Sequence, residues 1–342
     1  MQMTETQRKR GGLSDRTINR LIVGAIVALV IIVPLIGVIY FLDRSADPGP
    51  SMAQRAVTVA EEAVRKEPNN VSARLALATS YLQSERYQDA VTQYAEVLKV
   101  VPDHHGALLA RGNAYLLLDD QASAAKDYER LVEIASGGEQ ANADPQLEEA
   151  YYRLGDIALR QGRNDDAVKL LTSALAISRT DADAMNLLGA AYVKTGKAED
   201  AVTVLRRAIS FVPIGWCEPY QNLADAYTAL KNADGAAYAS GMVSWCGGDA
   251  AAARLALAPL TDGDLAVEAL LGLGQIAEME GDVATATEMY QKVLAKDPQN
   301  SNAIFGMQRI GAASSDPHGS AAPATSAASS APEASPSTGA NP

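Results

Sequence analysis

Between Ala182 and Pro213 the apolar residues recur at helical spacing on one face. Met185, Leu188, Gly189 and Tyr192 come first; Ala201, Leu205 and Ala208 follow a short Thr195-Gly196 break. Pro213 has no N–H and clashes with the preceding turn, so it ends the second helix. Gly189 and Ala201 are small, as two helices that cross closely require. The stretch predicts a helical hairpin with one apolar side, and the hairpin cannot bury that side alone.

The same pattern returns along the chain. From Val71 it gives Leu77, Ala78, Tyr81, Ala90, Tyr94, Val97 and Pro102. From His105 it gives Leu108, Gly112, Tyr115, Ala124, Tyr128 and Leu131. From Glu148 it gives Tyr151, Leu154, Gly155, Ala158, Ala167, Leu171 and Ala174. From Cys217 it gives Tyr220, Leu223, Ala224, Tyr227, Ala236 and Val243, with Ser240 where an apolar residue is expected. From Val267 it gives Leu270, Leu273, Gly274, Ala277, Ala286, Tyr290, Val293 and Pro298. The joint recurrence of these slots resembles the tetratricopeptide repeat, whose period is about 34 residues. That resemblance runs from Val71 to about Asn300 and implies an all-α superhelical solenoid whose concave groove holds a peptide or partner segment. It implies no chemistry.

The repeats are placed near 71–104, 105–138, 148–181, 182–215, 217–248 and 267–300, within a solenoid spanning 51–312. Met52–Pro68 reads as half a repeat, with Ala56, Ala60 and Ala63 on its apolar seam, so residues 52–67 are expected to cap the array. A second cap is expected at 301–310, closing the exposed apolar edge. Gly137–Pro145 reads as a longer loop between hairpins. In Asp249–Ala266, a helix over Ala250–Ala258 should break at Pro259 and lead through a turn at Thr261–Asp264. From 313 to 342 the composition shifts to Ala, Ser and Pro without large apolar residues, and disorder is the expectation there.

Residues 1–20 carry Arg8, Lys9, Arg10, Arg16 and Arg20 against Glu5 and Asp15. Leu21–Leu42 then runs without a charge and, as a helix, would span roughly 33 Å, enough for a bilayer core. A cleaved signal peptide is the alternative, but no small-x-small cleavage site precedes Ala46. The basic flank places residues 1–20 in the cytoplasm and the rest, after a linker at 43–50, on the extracytoplasmic side of a cell membrane as a single-pass protein. The chain holds 29 basic and 41 acidic residues, of which five and two precede Leu21, so the remainder carries a net charge of −15. Such acidity disfavours nucleic acid and anionic lipid surfaces as partners.

Candidate chemistry is sparse. Cys217 and Cys246 fall at the open end of one hairpin, equidistant from the Lys231-Asn232 turn. In an oxidising compartment a disulfide is expected, with two buried free thiols the alternative. Gly272-Leu-Gly274-Gln-Ile-Ala277 superficially resembles a dinucleotide fingerprint, but no strand precedes it and Gly274 and Ala277 occupy the repeat's own packing slots. His104 and His105 sit at a repeat junction and His318 in the tail, without ligand spacing, so neither metal nor cofactor is expected. No nucleophile elbow or phosphate loop is present, and no enzymatic activity or small-molecule substrate is expected. Asn70-Val71-Ser72 is a glycosylation sequon, a motif short enough to arise by chance.

The groove is the remaining candidate. Residues four apart on each first helix, opposite the packing seam, should line it. They include Leu75 and Thr79; Leu109 and Asn113; Tyr152, Asp156 and Arg160; Asn186 and Lys194; Gln221 and Asp225; and Gln275. A partner should lay an apolar segment along Leu75, Leu82, Leu109, Leu116 and Leu117, with hydrogen bonds from Asn113, Asp156 and Asn186. The basic two-carboxylate clamp of chaperone-binding family members is not reproduced: its two Lys slots carry Leu75 and Glu149, and only its Arg slot is matched, by Arg153. The resulting expectation is a membrane-anchored scaffold that binds a protein or peptide segment. Its layout is similar to bacterial envelope proteins that attend the secretion channel or hold apocytochromes. The alternatives are a structural subunit with a self-occupied groove and an enzyme with an unrecognised site.

Overall fold

The computed structural model describes residues 26, 29–37, 40, 51–211 and 215–315. The basic N-terminus, half of the Leu21–Leu42 run, the 43–50 linker, Pro213 and the tail from 316 lie outside the described residues. Residues 29–37 are helical (α1), and among the described residues no helix is long and apolar enough to cross a membrane. All described regular elements are helices, and the chain divides into two compact units at Val100/Val101.

The first unit holds α2 (Met52–Lys66), α3 (Val71–Gln83) and α4 (Tyr87–Val100). Ser51 and Gln54 form a reciprocal capping box at the start of α2, satisfying two otherwise orphaned N–H groups. The buried seam of α2 runs through Val57 and Ala60, and the expected Ala56 and Ala63 face outward. The larger Val57 removes more apolar surface from water than Ala56 could, and this rotates the helix. Tyr81 donates to Glu61 at 2.8 Å, and the Arg86 guanidinium lies 4.1 Å from the Tyr81 ring centre, tying the helices together.

The second unit is a solenoid of helical hairpins. Its elements are α5 (His105–Leu117), α6 (Gln121–Ala135), α7 (Pro145–Arg160), α8 (Asn164–Ile177), α9 (Ala182–Lys194), α10 (Ala198–Phe211), α11 (Glu218–Ala229) and α12 (Ala233–Cys246). The chain continues with α13 (Ala250–Leu257), α14 (Ala266–Met279), α15 (Val283–Lys296) and α16 (Ser301–Ser315). In α5/α6, α7/α8, α9/α10 and α14/α15 a glycine of the first helix meshes with a large residue of the second. A Cβ on Gly112 would lie 2.5 Å from Tyr128, on Gly155 2.6 Å from Leu171, and on Gly189 2.4 Å from Leu205. Gly274 repeats the relation with Tyr290, whose other ring edge meets Gly306 of α16. Only glycine fits at such separations.

The hairpin turns place one residue at positive φ, and Gly162, Gly196 and Gly281 take it without Cβ strain. Glu85, Asp119 and Lys231 adopt the same conformation with a side chain.

The Gly137–Pro145 insertion contains a short 3-10 turn, Ala141–Ala143. Asp144 then caps α7, with Pro145 at its first position, so the helix begins three residues before the expected Glu148. The second insertion changes the stack. After α13 and a 3-10 turn at Ala258–Leu260, α14 packs against α12, α13, α15 and α16. This routing also joins α10 to α14 through an Arg206–Glu268 ion pair. The last helix continues past the expected 310 to Ser315.

Candidate functional site

Successive first helices of the second unit, α5, α7, α9 and α11, lie side by side. Between α5 and α7 they leave a cavity of about 440 Å³ lined by Asn113, Leu116, Leu117, Arg153, Asp156, Ile157 and Arg160, with Asp119 and Gln121 from the intervening turn. Leu117 is 57% exposed at its rim, beside the half-buried Leu116. Arg160 pairs with Asp156 at 2.9 Å, and Arg153 pairs with Glu149 at 3.3 Å. The Nε of Arg153 is enclosed without an acceptor. The site therefore combines an aliphatic floor with fixed charges of both signs.

Behind this floor runs a polar seam. Tyr128 donates to the Asn113 carbonyl at 2.6 Å, and the Asn113 amide donates to Glu149 at 3.2 Å. Further along, Asn222 donates to Asn186 at 2.9 Å while Asn186 donates to Glu218 at 3.4 Å. These side chains link one hairpin to the next. Carboxylates crowd the same seam: burial, and then the neighbouring Asp181, push Glu148 up to about 8. Burial and the charges of Asp181 and Glu218 also raise Asp183. Burial raises Tyr152 to about 12, and Arg153 lies 5.4 Å from its ring centre. Among the described residues no group of His, Cys, Asp or Glu is arranged to hold a metal ion.

The expected groove residues separate into three sets. Asn113, Asp156 and Arg160 meet in the cavity with Leu116 and Leu117. Lys194, Gln221 and Asp225 are exposed further along, Leu109 and Tyr152 are half-buried, and none of the five lines the cavity. In the first unit Thr79 is exposed and Leu75 half-buried.

Two residues correct the expectation. Asn186 is 4% exposed because it bridges adjacent hairpins, and it offers nothing to a partner. Gln275 is 3% exposed because the rerouted α14 is covered by four neighbouring helices and the Ala258–Leu260 turn. Asn113 is also largely committed to Tyr128 and Glu149. Residue spacing did not single out Asp119, Gln121 or Ile157. The first two reach the cavity from the turn after α5, which helical periodicity does not describe, and Ile157 reads as ordinary core.

Cys217 and Cys246 are joined by a disulfide, with Cα atoms 5.7 Å apart, across the open end of the α11/α12 hairpin. In the same hairpin Tyr220 and Tyr238 meet edge-on at 6.1 Å, both buried.

Two family models match the chain. One, the tetratricopeptide repeat protein 21 C-terminal ARM domain, matches residues 52–214, and the other, a tetratricopeptide repeat, matches 245–301. Both describe tetratricopeptide-type repeats, over 52–214 and 245–301. Repeats of this kind mediate protein–protein interaction, and neither model describes an enzyme. No curated protein matches the chain in sequence. Among solved structures, YrrB, described as a tetratricopeptide protein with an unusual peptide-binding site, is 17% identical. The likeness covers 59% of this chain and 98% of YrrB at a TM-score of 0.49. MamA is 23% identical, covering 53% of this chain and 93% of its own at 0.46. PilW, described as a type IV pilus biogenesis factor, is 18% identical, covering 69% and 97% at 0.42.

Proposed function

We propose that this tetratricopeptide array is a membrane-anchored scaffold that captures a segment of a partner protein in the α5/α7 cavity, on the extracytoplasmic side of a cell membrane. The observation that carries the reading is Leu117, exposed beside Leu116 and Ile157 with charged residues on the rim. An aliphatic side chain of the partner would remove these leucines from water, gaining about 25 cal/mol per Å² of apolar surface covered. The rim charges would fix the register of the partner's backbone. The uncharged Leu21–Leu42 run behind a basic flank supports the anchor and its orientation. The Cys217–Cys246 bond supports an oxidising compartment.

Crosslinking in native membranes followed by mass spectrometry would identify the partner. Leu117→Glu and Asp156→Ala should each reduce its capture, Leu117→Glu by about tenfold or more. Undiminished capture by both variants would move the site elsewhere. A protease-protection assay tests the topology independently, because cleavage of the repeats only after the cytosolic side is opened would overturn the orientation.

A further inference from the structure

We propose that the cleft between α10 and α14 is a second recognition site, for an extended segment of another protein that carries a carboxylate side chain beside an aliphatic one. The cleft encloses about 450 Å³, in the range of ordinary ligand sites. Its walls are apolar: Val202 and Ile209 on α10, Val267 and Leu271 on α14, with the buried Tyr238 of α12 between them. It exists because the α13 insertion brings α14 against α10.

The rim sets the chemistry. Arg206 and Arg207 stand on one edge, and Glu268, already paired with Arg206, is the one carboxylate among the cleft's described lining residues. Arg207 donates to the backbone carbonyl of Arg179 at 2.7 Å and has no carboxylate partner among the described residues. The exposed Arg207 guanidinium, fixed beside apolar walls, is available for a charge-assisted, bidentate bond to an anionic group. Asn302 and Ser210 add polar groups suited to an extended backbone. The excess of positive charge here contrasts with the chain's formal net charge of −12, so the cleft selects acidic segments that the rest of the surface repels. The chain's own residues 316–342 contain Asp316 and Glu333 but no Val, Leu, Ile or Met, which points to a different protein as the occupant.

The test uses acetylated, amidated octapeptides alternating Leu with Glu, Gln or Lys, titrated calorimetrically against the full chain in detergent, with amide hydrogen exchange to locate the contact. The Leu/Glu peptide should bind about tenfold or more tightly than the other two and slow exchange in α10 and α14. Arg207→Gln should abolish that preference, and Arg207→Lys should restore part of it. Should Arg207→Gln lower the unfolding midpoint, Leu271→Trp, which fills the cleft from α14, should produce the same loss of binding. Equal affinity for the three peptides, protection confined to the α5/α7 cavity, or tighter binding after deletion of 316–342 would each overturn the proposal.

Discussion

The hairpins α5/α6, α7/α8 and α9/α10 and the hairpin α11/α12 occupy one unit but solve the same packing problem in opposite ways. In the first three, a glycine of the first helix receives a large side chain of the second: Tyr128, Leu171 and Leu205. In α11/α12 the relation inverts. Tyr227 of the first helix presses on Gly235 of the second, at 2.4 Å from where a Cβ would be, and Ser240 is exposed at the register of Leu205. That hairpin instead has a disulfide across its open end and an additional helix, α13, against α12. Close crossing requires one small partner, and which helix supplies it is free. Beyond α12 the α13 insertion takes the next hairpin out of line.

Breaking the disulfide should have the largest effect on this contrast. Its sequence separation is 29, so Cys217→Ser with Cys246→Ser should destabilise by about 3.5 kcal/mol in the chain-entropy model, read by urea unfolding with and without reductant. A loss centred on α5–α10 would contradict a local role for the bond. Next, Leu205→Ala should cost about 3 kcal/mol, because the cavity opposite Gly189 cannot close. Ser240→Ala at the same register should stay within about 0.5 kcal/mol. Equal costs would mean that the two hairpins share one packing rule after all.

A smaller, pH-dependent effect is expected at Glu148, faced by Asp181, Glu149 and Arg153. Its carboxyl is raised from 4.5 to about 8 on folding, so the folded chain retains a proton that the unfolded chain releases. The associated stability is fully present below about 4.5 and is lost progressively as pH rises through 8. Glu148→Gln should therefore unfold at a higher temperature than the parent at pH 9, with the difference shrinking toward pH 5. No change in that difference between the two pH values would remove Glu148 from the account. The smallest effect belongs to the turns: Asp119→Gly, at a φ of 60°, should stabilise by about 0.5–1 kcal/mol in thermal unfolding. Gly196→Ala, at 73°, should destabilise by a similar amount.

The hairpin count, the small-and-large notches, the two insertions and the pairing of Cys217 with Cys246 could all be read in one dimension. Each rests on residues close in sequence, and helical periodicity decides which of them share a face. The α5/α7 cavity was half legible: Asn113, Leu117, Asp156 and Arg160 follow from spacing four apart, whereas Asp119 and Gln121 enter from a turn. The fate of polar residues on those faces was not legible. Asn186 and Gln221 hold the same position in successive repeats, yet one is enclosed between hairpins and the other is exposed, because the packing of each helix on its neighbours sets where its face points. The α10/α14 cleft lies furthest from the sequence. Arg206 and Glu268 are 62 residues apart, and only the turn of the chain through α13 brings them together.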